Sequence, residues 1–369
     1  IKYFQKNEIF GNIFIFRFRK ISFFSDFDFE IFSIFIAYHM EMKNKTILIT
    51  GGAGFIGSNL AFYFQKNHSD AKVVILDCFR SGETLSNGNL KSFGHFKNLI
   101  GFNGEIISGD INDKDLLLRL EKEYKFDYIF HEAAISDTTA LEQDLMIKTN
   151  VNAYKDLLNL AVAHNANMIY ASSAATYGNA ESPQRVGREA PQNVYGFSKL
   201  SMDHLSREYM KKTDISIVGL RYFNVYGSGE YFKNTTASMV LQFGHQILSG
   251  KNPKLFEDSD KILRDFIYIG DIIQANVKAM QPKQSGIYNV GTGRARSFQD
   301  IVDILQAELG TSLKCEYIPN PFIGSYQFHT EADITTTKEA LGYKPAFEME
   351  DGIKAYVAEI KRVYEVEVK

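Results

Sequence analysis

The chain has only two cysteines and almost no net charge, and each scarcity excludes a class of protein. Cys78 and Cys315 are too few for a disulfide framework or a cysteine-based zinc site, so we expect a reducing, cytoplasmic compartment and no thiol-driven mechanism. The 41 Lys and Arg residues nearly balance 44 Asp and Glu residues, which leaves a formal charge of −3. This balance gives no electrostatic argument for a nucleic-acid or anionic-membrane partner.

The segment 1–39 is dominated by Phe and Ile and differs from the rest of the chain. Its longest apolar run, residues 31–38, is far shorter than the roughly 20 residues that cross a bilayer. Acidic residues directly precede this run, so a signal peptide is not expected. We interpret segment 1–39 as upstream sequence foreign to the native protein, with the functional chain starting at Met40 or Met42. The alternative is a sticky extension that contacts a membrane or a partner.

From residue 45 onward, short apolar runs alternate with helical stretches. The runs predict buried strands at 46–50, 71–77, 127–131, 168–172 and 215–220, and helices are predicted between them, for example over 152–164 and 195–211. This alternation predicts an α/β fold with a doubly wound parallel sheet, the Rossmann architecture. Beyond about residue 232 the pattern changes. We therefore expect residues 43–232 to form mainly the sheet domain and residues 233–369 mainly a smaller C-terminal α/β lobe that binds the substrate, with parts returning to the sheet.

Three glycines, Gly51, Gly54 and Gly57, lie between the first predicted strand and the following helix. Glycines at this spacing allow a tight turn and the approach of a pyrophosphate to the helix N-terminus, so the motif predicts a dinucleotide site. Asp77 ends the second strand, where its carboxylate can bind a ribose 2′-hydroxyl and favour NAD. Arg80 could instead pair with a 2′-phosphate and favour NADP, and Lys114 is a second cation for the same phosphate. Asp77 and the two cations therefore give conflicting predictions about whether the cofactor is NAD or NADP.

Tyr195 and Lys199 lie four residues apart on one predicted helix, and therefore on one face of it. A free tyrosine is a poor base at neutral pH, but an adjacent ammonium group and an oxidised nicotinamide both favour the phenolate. Ser173, just past the strand 168–172, is placed to bind the same substrate oxygen. These three residues predict acid/base chemistry coupled to hydride transfer.

Together, the glycine turn, Ser173 and the Tyr195/Lys199 pair resemble the extended short-chain dehydrogenases/reductases of the nucleotide-sugar epimerase and dehydratase group. More specific strings resemble the ADP-L-glycero-D-manno-heptose 6-epimerases of bacterial lipopolysaccharide synthesis over 43–369. These strings are HEAAISDTT (131–139), YASSAATYG (170–178), NVYGFSK (193–199), LRYFNVYG (220–227), PKLFE (253–257), RDFIYIGD (264–271), NVGTGRARSFQ (289–299) and YIPNPF (317–322).

The resemblance implies an isomerase of carbohydrate metabolism that inverts C6″ of ADP-D-glycero-β-D-manno-heptose through a transient ketone, with tightly bound NADP. Because hydride returns to the opposite face, a second acid/base is expected, and Lys233 occupies the position of the family's lysine. The family also implies a homo-oligomer, a pentamer, and no metal ion is expected.

The remaining site residues are carried over from the same resemblance, position by position. Cofactor contacts are implied at Phe55, Ile56, Asp77, Cys78, Lys114, Glu132, Ala133, Ala134, Ile135, Ser136, Asn150, Lys199, Val225 and Lys233. Substrate contacts are implied at Asn224, Thr235, Gln242, Phe256, Glu257, Asp258, Ser259, Arg264 and Tyr326. Arg264 is the natural partner of the substrate's pyrophosphate. The chain departs from the family at Gln242, Thr235 and Thr84, where the family has histidine, serine and lysine.

Three other functions are compatible with parts of this pattern. A UDP-hexose 4-epimerase shares Ser173, Tyr195 and Lys199, but the strings around Lys233 and residues 253–257 count against it. A 4,6-dehydratase needs an acid pair beside the serine or threonine, whereas Ala174 and Ala175 follow Ser173. A non-catalytic dinucleotide-binding sensor or scaffold would not need the intact Ser, Tyr and Lys.

Overall fold

A computed structural model describes residues 42–320 and 328–369 of the chain. The interpretation of segment 1–39 and the substrate contact expected at Tyr326 lie outside these residues. One compact unit, Lys43–Lys369, carries every element discussed below.

The strands of the described residues are short and mostly buried. They are β1 (Thr46–Thr50), β2 (Lys72–Asp77), β3 (Glu105–Ser108), β4 (Tyr128–His131), β5 (Asn167–Ser173), β6 (Ile217–Tyr222), β7 (Asn224–Tyr226), β8 (Lys254–Phe256), β9 (Leu263–Tyr268), β10 (Gly286–Val290), β11 (Ala295–Ser297) and β12 (Glu316–Ile318).

Helices connect these strands. They are α1 (Phe55–Asn67), α2 (Lys114–Glu123), α3 (Gln143–Met146), α4 (Ala153–His164), α5 (Val194–Met210), α6 (Met239–Leu248), α7 (Ile269–Lys278), α8 (Phe298–Leu309), α9 (Thr335–Leu341) and α10 (Met349–Val363). Three 3₁₀ segments and two π-helical segments complete the described part. The 3₁₀ turns are Phe96–Leu99, Ala174–Tyr177 and Tyr231–Thr236, and the π segments are Ile147–Asn152 and Tyr364–Val368.

The central sheet has seven parallel strands in the order β10-β6-β5-β4-β1-β2-β3. The chain runs outward from β1 through β2 to β3 and then returns to β4 on the other side of β1. This reversal leaves a crevice beyond the carboxyl ends of β1 and β4, where doubly wound proteins bind ligands. The predicted doubly wound fold is confirmed.

The central strands are apolar on both faces because helices cover both sides of the sheet. Leu48, Val74 and Ile129 on three neighbouring strands are fully buried and belong to one apolar cluster with Leu157 of α4 and Met168 of β5. This burial fixes the strand register and therefore the positions of the residues at the strand ends.

Element boundaries differ from the sequence prediction where polar residues are satisfied inside the fold. β6 continues to Tyr222 because the guanidinium of Arg221, which is fully buried, pairs with Asp203 of α5 at 2.7 Å. α5 begins at Val194 because the side-chain oxygen of Asn193 accepts a hydrogen bond from the backbone N–H of Gly196 at 2.8 Å.

The C-terminal part of the chain forms a second apolar cluster and two small sheets. The sheets have the orders β11-β9-β7 and β12-β8, and the cluster includes Val240 of α6, Ile301 of α8 and Ile353 of α10. β10 lies at the edge of the large sheet beside β6. The division at residue 232 stays a prediction. Within the described ranges, none of the helices combines the length and the apolar character that crossing a membrane requires.

Candidate active site

A cleft of about 730 Å³ is lined by the turns that follow the central strands and by residues of the C-terminal part. Most of the residues predicted from the sequence line it. These are Gly51, Gly54, Phe55, Ile56, Gly57, Asp77, Cys78, Glu132, Ala133, Ala134, Ile135, Ser136, Ser173, Tyr195, Lys199, Asn224, Val225, Lys233 and Arg264.

At Gly51 and Gly57, the glycine turn between β1 and α1 has room for backbone only. A Cβ atom on Gly57 would lie 2.3 Å from the carbonyl oxygen of Gly51, and one on Gly51 would lie 2.6 Å from the backbone nitrogen of Ala133. α1 begins at Phe55 without a side-chain cap and without an acidic residue in its first turn. Its free N–H groups and helix dipole therefore face the cleft as a site for an anion. This turn fits the pyrophosphate of a dinucleotide.

Asp77 lies at the end of β2 and is buried against the same turn. Its carboxylate accepts hydrogen bonds from the backbone N–H groups of Ala53 at 2.9 Å and Phe79 at 2.8 Å. Burial raises the pKa of Asp77, and these two hydrogen bonds oppose the rise. Since each oxygen keeps a further lone pair, the carboxylate can also accept from a ribose hydroxyl.

The two cations proposed for a 2′-phosphate lie outside the cleft lining. Lys114 is largely exposed and pairs with Asp156 at 3.7 Å. Arg80 donates from Nη2 to the carbonyl oxygen of Phe232 at 2.5 Å. Lys91, which sequence reasoning missed because no motif surrounds it, does line the cleft, and its Nζ lies 3.1 Å from Glu83 Oε2.

Ser173, Tyr195 and Lys199 meet where β5 ends against the start of α5. The Lys199 ammonium group donates to the carbonyl oxygen of Ala171 at 2.7 Å and lies 5.9 Å from the centre of the Tyr195 ring. Burial lowers the pKa of Lys199 to about 8. Burial also raises the pKa of Tyr195, while a hydrogen bond with the Ser173 hydroxyl lowers it. The predicted catalytic trio is therefore assembled in one place.

Glu132 is a buried carboxyl group beside this trio, and no sequence pattern indicated that its pKa is shifted. Its Oε1 accepts a hydrogen bond from the Tyr222 hydroxyl at 3.0 Å, and Oε2 has no hydrogen-bond partner in the described part of the chain. Burial raises the pKa of Glu132 to about 7, although the Tyr222 hydroxyl and the charge of Lys199 lower it. Glu132 thus brings a titratable charge close to Tyr195 and Lys199.

Asn150 supports the cleft from behind and does not line it. It lies in the π-helical segment before α4, and its side chain both accepts from the N–H of Ile135 and donates to its carbonyl, each at 2.9 Å. It also donates to the Ser198 hydroxyl at 3.0 Å. This amide therefore links the loop after β4 to α5.

Lys233 reaches the cleft from the 3₁₀ turn Tyr231–Thr236. Its ammonium group lies 5.8 Å from the centre of the Phe55 ring, at the start of α1. Burial lowers the pKa of Lys233, and the neighbouring Glu230 carboxylate opposes this shift. A second basic group thus lines the same cleft as Tyr195, from a different element.

The expected substrate residues are only partly brought together. Asn224 and Arg264 line the cleft. Thr235 and Gln242 do not line the cleft. The Thr235 hydroxyl donates to the side-chain oxygen of Asn89 at 2.8 Å, and Gln242 donates to the carbonyl oxygen of Ala237 at 2.7 Å. Four further residues, which lie at the end of β8 and in the turn after it, are also outside the lining. They are Phe256, Glu257, Asp258 and Ser259.

The described ranges contain no cluster of three or more His, Cys, Asp or Glu side chains that could hold a metal ion. The cleft itself combines a glycine turn that fits a dinucleotide, a Ser-Tyr-Lys trio and an additional lysine. This combination defines a dinucleotide-dependent enzyme of the short-chain dehydrogenase/reductase type.

The chain belongs to the NAD dependent epimerase/dehydratase family, whose model matches residues 47–291. It is 54% identical to the ADP-L-glycero-D-manno-heptose-6-epimerase of Helicobacter pylori, with a TM-score of 0.80. That match covers 87% of this chain and 98% of the other.

Solved structures of more distant relatives belong to enzymes named for other sugar nucleotides. The UDP-glucose 4-epimerase of Thermotoga maritima is 27% identical, with a TM-score of 0.75 and coverage of 86% of this chain and 99% of that one. The UDP-glucuronic acid 4-epimerase of Bacillus cereus, solved with UDP-glucuronic acid and NAD, is 28% identical, with a TM-score of 0.74 and coverage of 86% and 100%. Epimerases with different substrates therefore share this fold, so the residues that line the cleft, and not the fold, determine the substrate.

Proposed function

We propose that the protein interconverts ADP-D-glycero-β-D-manno-heptose and ADP-L-glycero-β-D-manno-heptose by inverting C6″, as a step of lipopolysaccharide core synthesis. The observation that carries the proposal is the presence of two basic groups, Tyr195 and Lys233, on separate elements of one cleft. The 54% identity to the Helicobacter pylori enzyme supports this substrate over a UDP-hexose.

Inversion at a carbinol carbon requires removal and return of both a hydride and a proton. A bound nicotinamide supplies the hydride acceptor and donor. Tyr195, as phenolate, takes the proton from the C6″ hydroxyl while Ser173 hydrogen-bonds the same oxygen, and C6″ becomes a ketone carbon. After the ketone presents its other face, the Lys233 ammonium group returns a proton to the oxygen as hydride comes back to carbon. In the reverse direction the two residues exchange tasks.

The remaining assignments of the proposal concern binding. The glycine turn and Asp77 would hold the pyrophosphate and the adenosine ribose, and Lys199 would order the nicotinamide end. Asn150 would act from outside the cleft, by fixing the loop that carries Ile135. We take NADP as the dinucleotide from the family resemblance, with NAD as the alternative that Asp77 favours. Arg264 would bind the substrate's pyrophosphate, because a guanidinium can form two parallel hydrogen bonds to phosphate oxygens.

We also infer a cytoplasmic, homo-oligomeric enzyme. Two free thiols, Cys78 and Cys315, support a reducing compartment. Sedimentation of the purified protein measures the number of subunits.

The deciding experiment is incubation of the protein with ADP-D-glycero-β-D-manno-heptose without added cofactor, followed by proton NMR of C6″. We expect an equilibrium mixture of both epimers, and mass spectrometry then identifies the retained dinucleotide. Tyr195→Phe and Lys233→Met should each abolish conversion with the dinucleotide still bound. Tyr209→Phe and Lys211→Met, at the far end of α5, serve as matched controls that keep activity. Conversion of UDP-glucose alone would instead assign a 4-epimerase.

A further inference from the structure

The 3₁₀ turn that presents Lys233 has little burial of its own. No residue of Tyr231–Thr236 is fully buried, and Asn234 has a left-handed backbone with φ of 53°. One hydrogen bond within the turn runs from the Lys233 N–H to the Glu230 carbonyl at 2.9 Å. Tyr231, at its start, packs partly buried against the C-terminal apolar cluster, and its hydroxyl donates to the carbonyl oxygen of Glu367 at 3.2 Å. Short 3₁₀ turns are weakly stable by themselves, so contacts of this kind from other segments fix this one.

Arg80 supplies such a contact from 152 residues away in sequence. Its Nη2 donates to the carbonyl oxygen of Phe232, and its guanidinium carbon lies 5.5 Å from the centre of the Phe232 ring. A hydrogen bond from a charged donor is stronger than one between neutral groups, and a guanidinium over an aromatic ring adds attraction. Both contacts act on the residue directly before Lys233.

His95 packs on the same ring and connects it to the glycine turn. The His95 and Phe232 rings are nearly parallel, at 7°, with their centres 3.8 Å apart. Burial lowers the pKa of His95, as do the charges of Arg80 and Lys97, while Glu367 opposes this shift. The backbone N–H of His95 donates to the carbonyl of Ala53, inside the glycine turn, at 3.0 Å.

We propose that Arg80 is a positioning residue for Lys233, because it fixes the carbonyl and the ring of Phe232 and thereby the turn that points the lysine into the cleft. The contact joins the loop after β2, which borders the dinucleotide site, to the second acid/base. The inference rests on the proposed function for the role of Lys233, but the contact itself can be measured without substrate.

The kinetic test compares Arg80→Met, Phe232→Ala and the double variant, each saturated with NADP and substrate. We expect each single variant to lower kcat about 10- to 100-fold without raising KM for the sugar nucleotide, since orientation of a proton donor affects the reaction step. The double variant should lose less than the product of the two single losses, because both changes remove the contact between the guanidinium and the Phe232 ring, although Phe232→Ala keeps the carbonyl oxygen that Arg80 binds. Arg362→Met, which removes a surface arginine paired with Glu359, is the control and should leave kcat unchanged.

The pH profile separates positioning from partial loss of folded enzyme. Burial lowers the pKa of Lys233 and Glu230 is the charged group that opposes the shift, so release of the turn into solvent should move this pKa upward. The alkaline limb of the rate profile, where Lys233 loses the proton that it donates, should therefore shift to higher pH in Arg80→Met. Loss of folded protein would scale the whole profile without moving the limb.

Hydrogen exchange of the holoenzyme without substrate tests the contact directly. Peptides covering residues 231–236 should exchange faster in Arg80→Met and Phe232→Ala than in the wild type and Arg362→Met. If exchange is faster in the variants but the enzyme does not epimerise ADP-heptose, the proposed function is wrong and the contact between Arg80 and Phe232 is still supported. Unchanged exchange, or an Arg80→Met enzyme that regains wild-type kcat once NADP saturates it, would overturn the inference and leave Arg80 as a cofactor ligand only.

Discussion

The ammonium group of Lys199 lies 5.9 Å from the centre of the Tyr195 ring and is held there by the carbonyl oxygen of Ala171. Since Lys199 and Tyr195 are both buried, their charges interact more strongly than they would in water. A cation at this place favours the phenolate of Tyr195, whereas burial alone disfavours it. We therefore expect the proposed role of Tyr195 as a base at neutral pH to depend on Lys199.

Replacement of Lys199 by methionine tests this dependence. Without the cation the pKa of Tyr195 should rise, so kcat at neutral pH should fall by at least about 100-fold and the acidic limb of the pH profile should move to higher pH. Lys199→Arg, which keeps a positive charge, should lose less activity. Bound dinucleotide is quantified in each variant, because Lys199 is also a proposed cofactor contact. A profile that keeps its acidic limb in place would show that Lys199 does not tune Tyr195.

Glu132 predicts a pH dependence of stability. Its pKa is 4.5 in an ordinary environment and about 7 in the folded protein, so the folded state binds this proton more tightly than the unfolded state. The resulting stabilisation is fully present below pH 4.5 and is lost as the pH rises to about 7. Glu132→Gln cannot ionise, and its oxygen can still accept from the Tyr222 hydroxyl.

Denaturant unfolding of the wild type and Glu132→Gln from pH 5 to 8 measures this effect. The free energy of unfolding of the variant, minus that of the wild type, should increase by on the order of 2 kcal/mol up to about pH 7 and then level off. The surface variant Glu308→Gln should show no such increase. A difference that stays constant with pH would mean that Glu132 is already ionised in the folded protein throughout this range.

The sequence was sufficient to predict the features that depend on local pattern. Gly51, Gly54 and Gly57 lie between a strand and a helix, and Tyr195 and Lys199 share one helical face, so both sets could be located from spacing alone. The fold followed from the alternation of buried strands and helices.

What the sequence could not predict depends on contacts between distant segments. Arg80 follows β2, where a phosphate ligand is expected. Its guanidinium instead binds the carbonyl oxygen of Phe232, which is 152 residues away in sequence. Glu132 resembles an ordinary loop carboxylate, and only the burial around it raises its pKa. Lys91 reaches the cleft because the loop after β2 folds back over the dinucleotide site, which no local pattern indicated.

The glycine turn provides a matched pair of alanine variants. A Cβ on Gly57 would lie 2.3 Å from the Gly51 carbonyl oxygen, whereas the nearest atom to a Cβ on Gly54 is that same oxygen at 3.1 Å. Gly57→Ala should therefore force the turn and the start of α1 apart and lower the free energy of unfolding by about 1–3 kcal/mol. Gly54→Ala should cost less stability, because only a small shift is needed.

Thermal unfolding and the amount of dinucleotide that co-purifies with each variant are the measurements. Gly57→Ala should retain less dinucleotide than the wild type, since displacement of α1 moves the N–H groups that face the pyrophosphate. Equal stability of the two alanine variants would mean that the close approach of Gly57 to Gly51 is relieved without cost.

Arg264 provides the test of the substrate end of the cleft. It is buried on β9, donates to the carbonyl oxygen of Leu263 at 2.9 Å, and faces Arg296 across the antiparallel pair with β11. Arg296 is paired with Glu350 and does not line the cleft. The two arginines therefore occupy neighbouring positions of one small sheet, and Arg264 is the one of the pair that lines the cleft.

Arg264→Gln should raise KM for ADP-heptose roughly 10- to 100-fold, which corresponds to the loss of a charge-assisted hydrogen bond. Its effect on kcat should be smaller. Lysine at this position should recover part of the affinity, because it keeps the charge but not the two parallel donors. Arg296→Gln is the matched control and should leave KM unchanged even where it lowers the melting temperature. If Arg264→Gln lowered kcat and left KM unchanged, Arg264 would not bind the ground-state pyrophosphate, and the substrate would have to lie differently in the cleft.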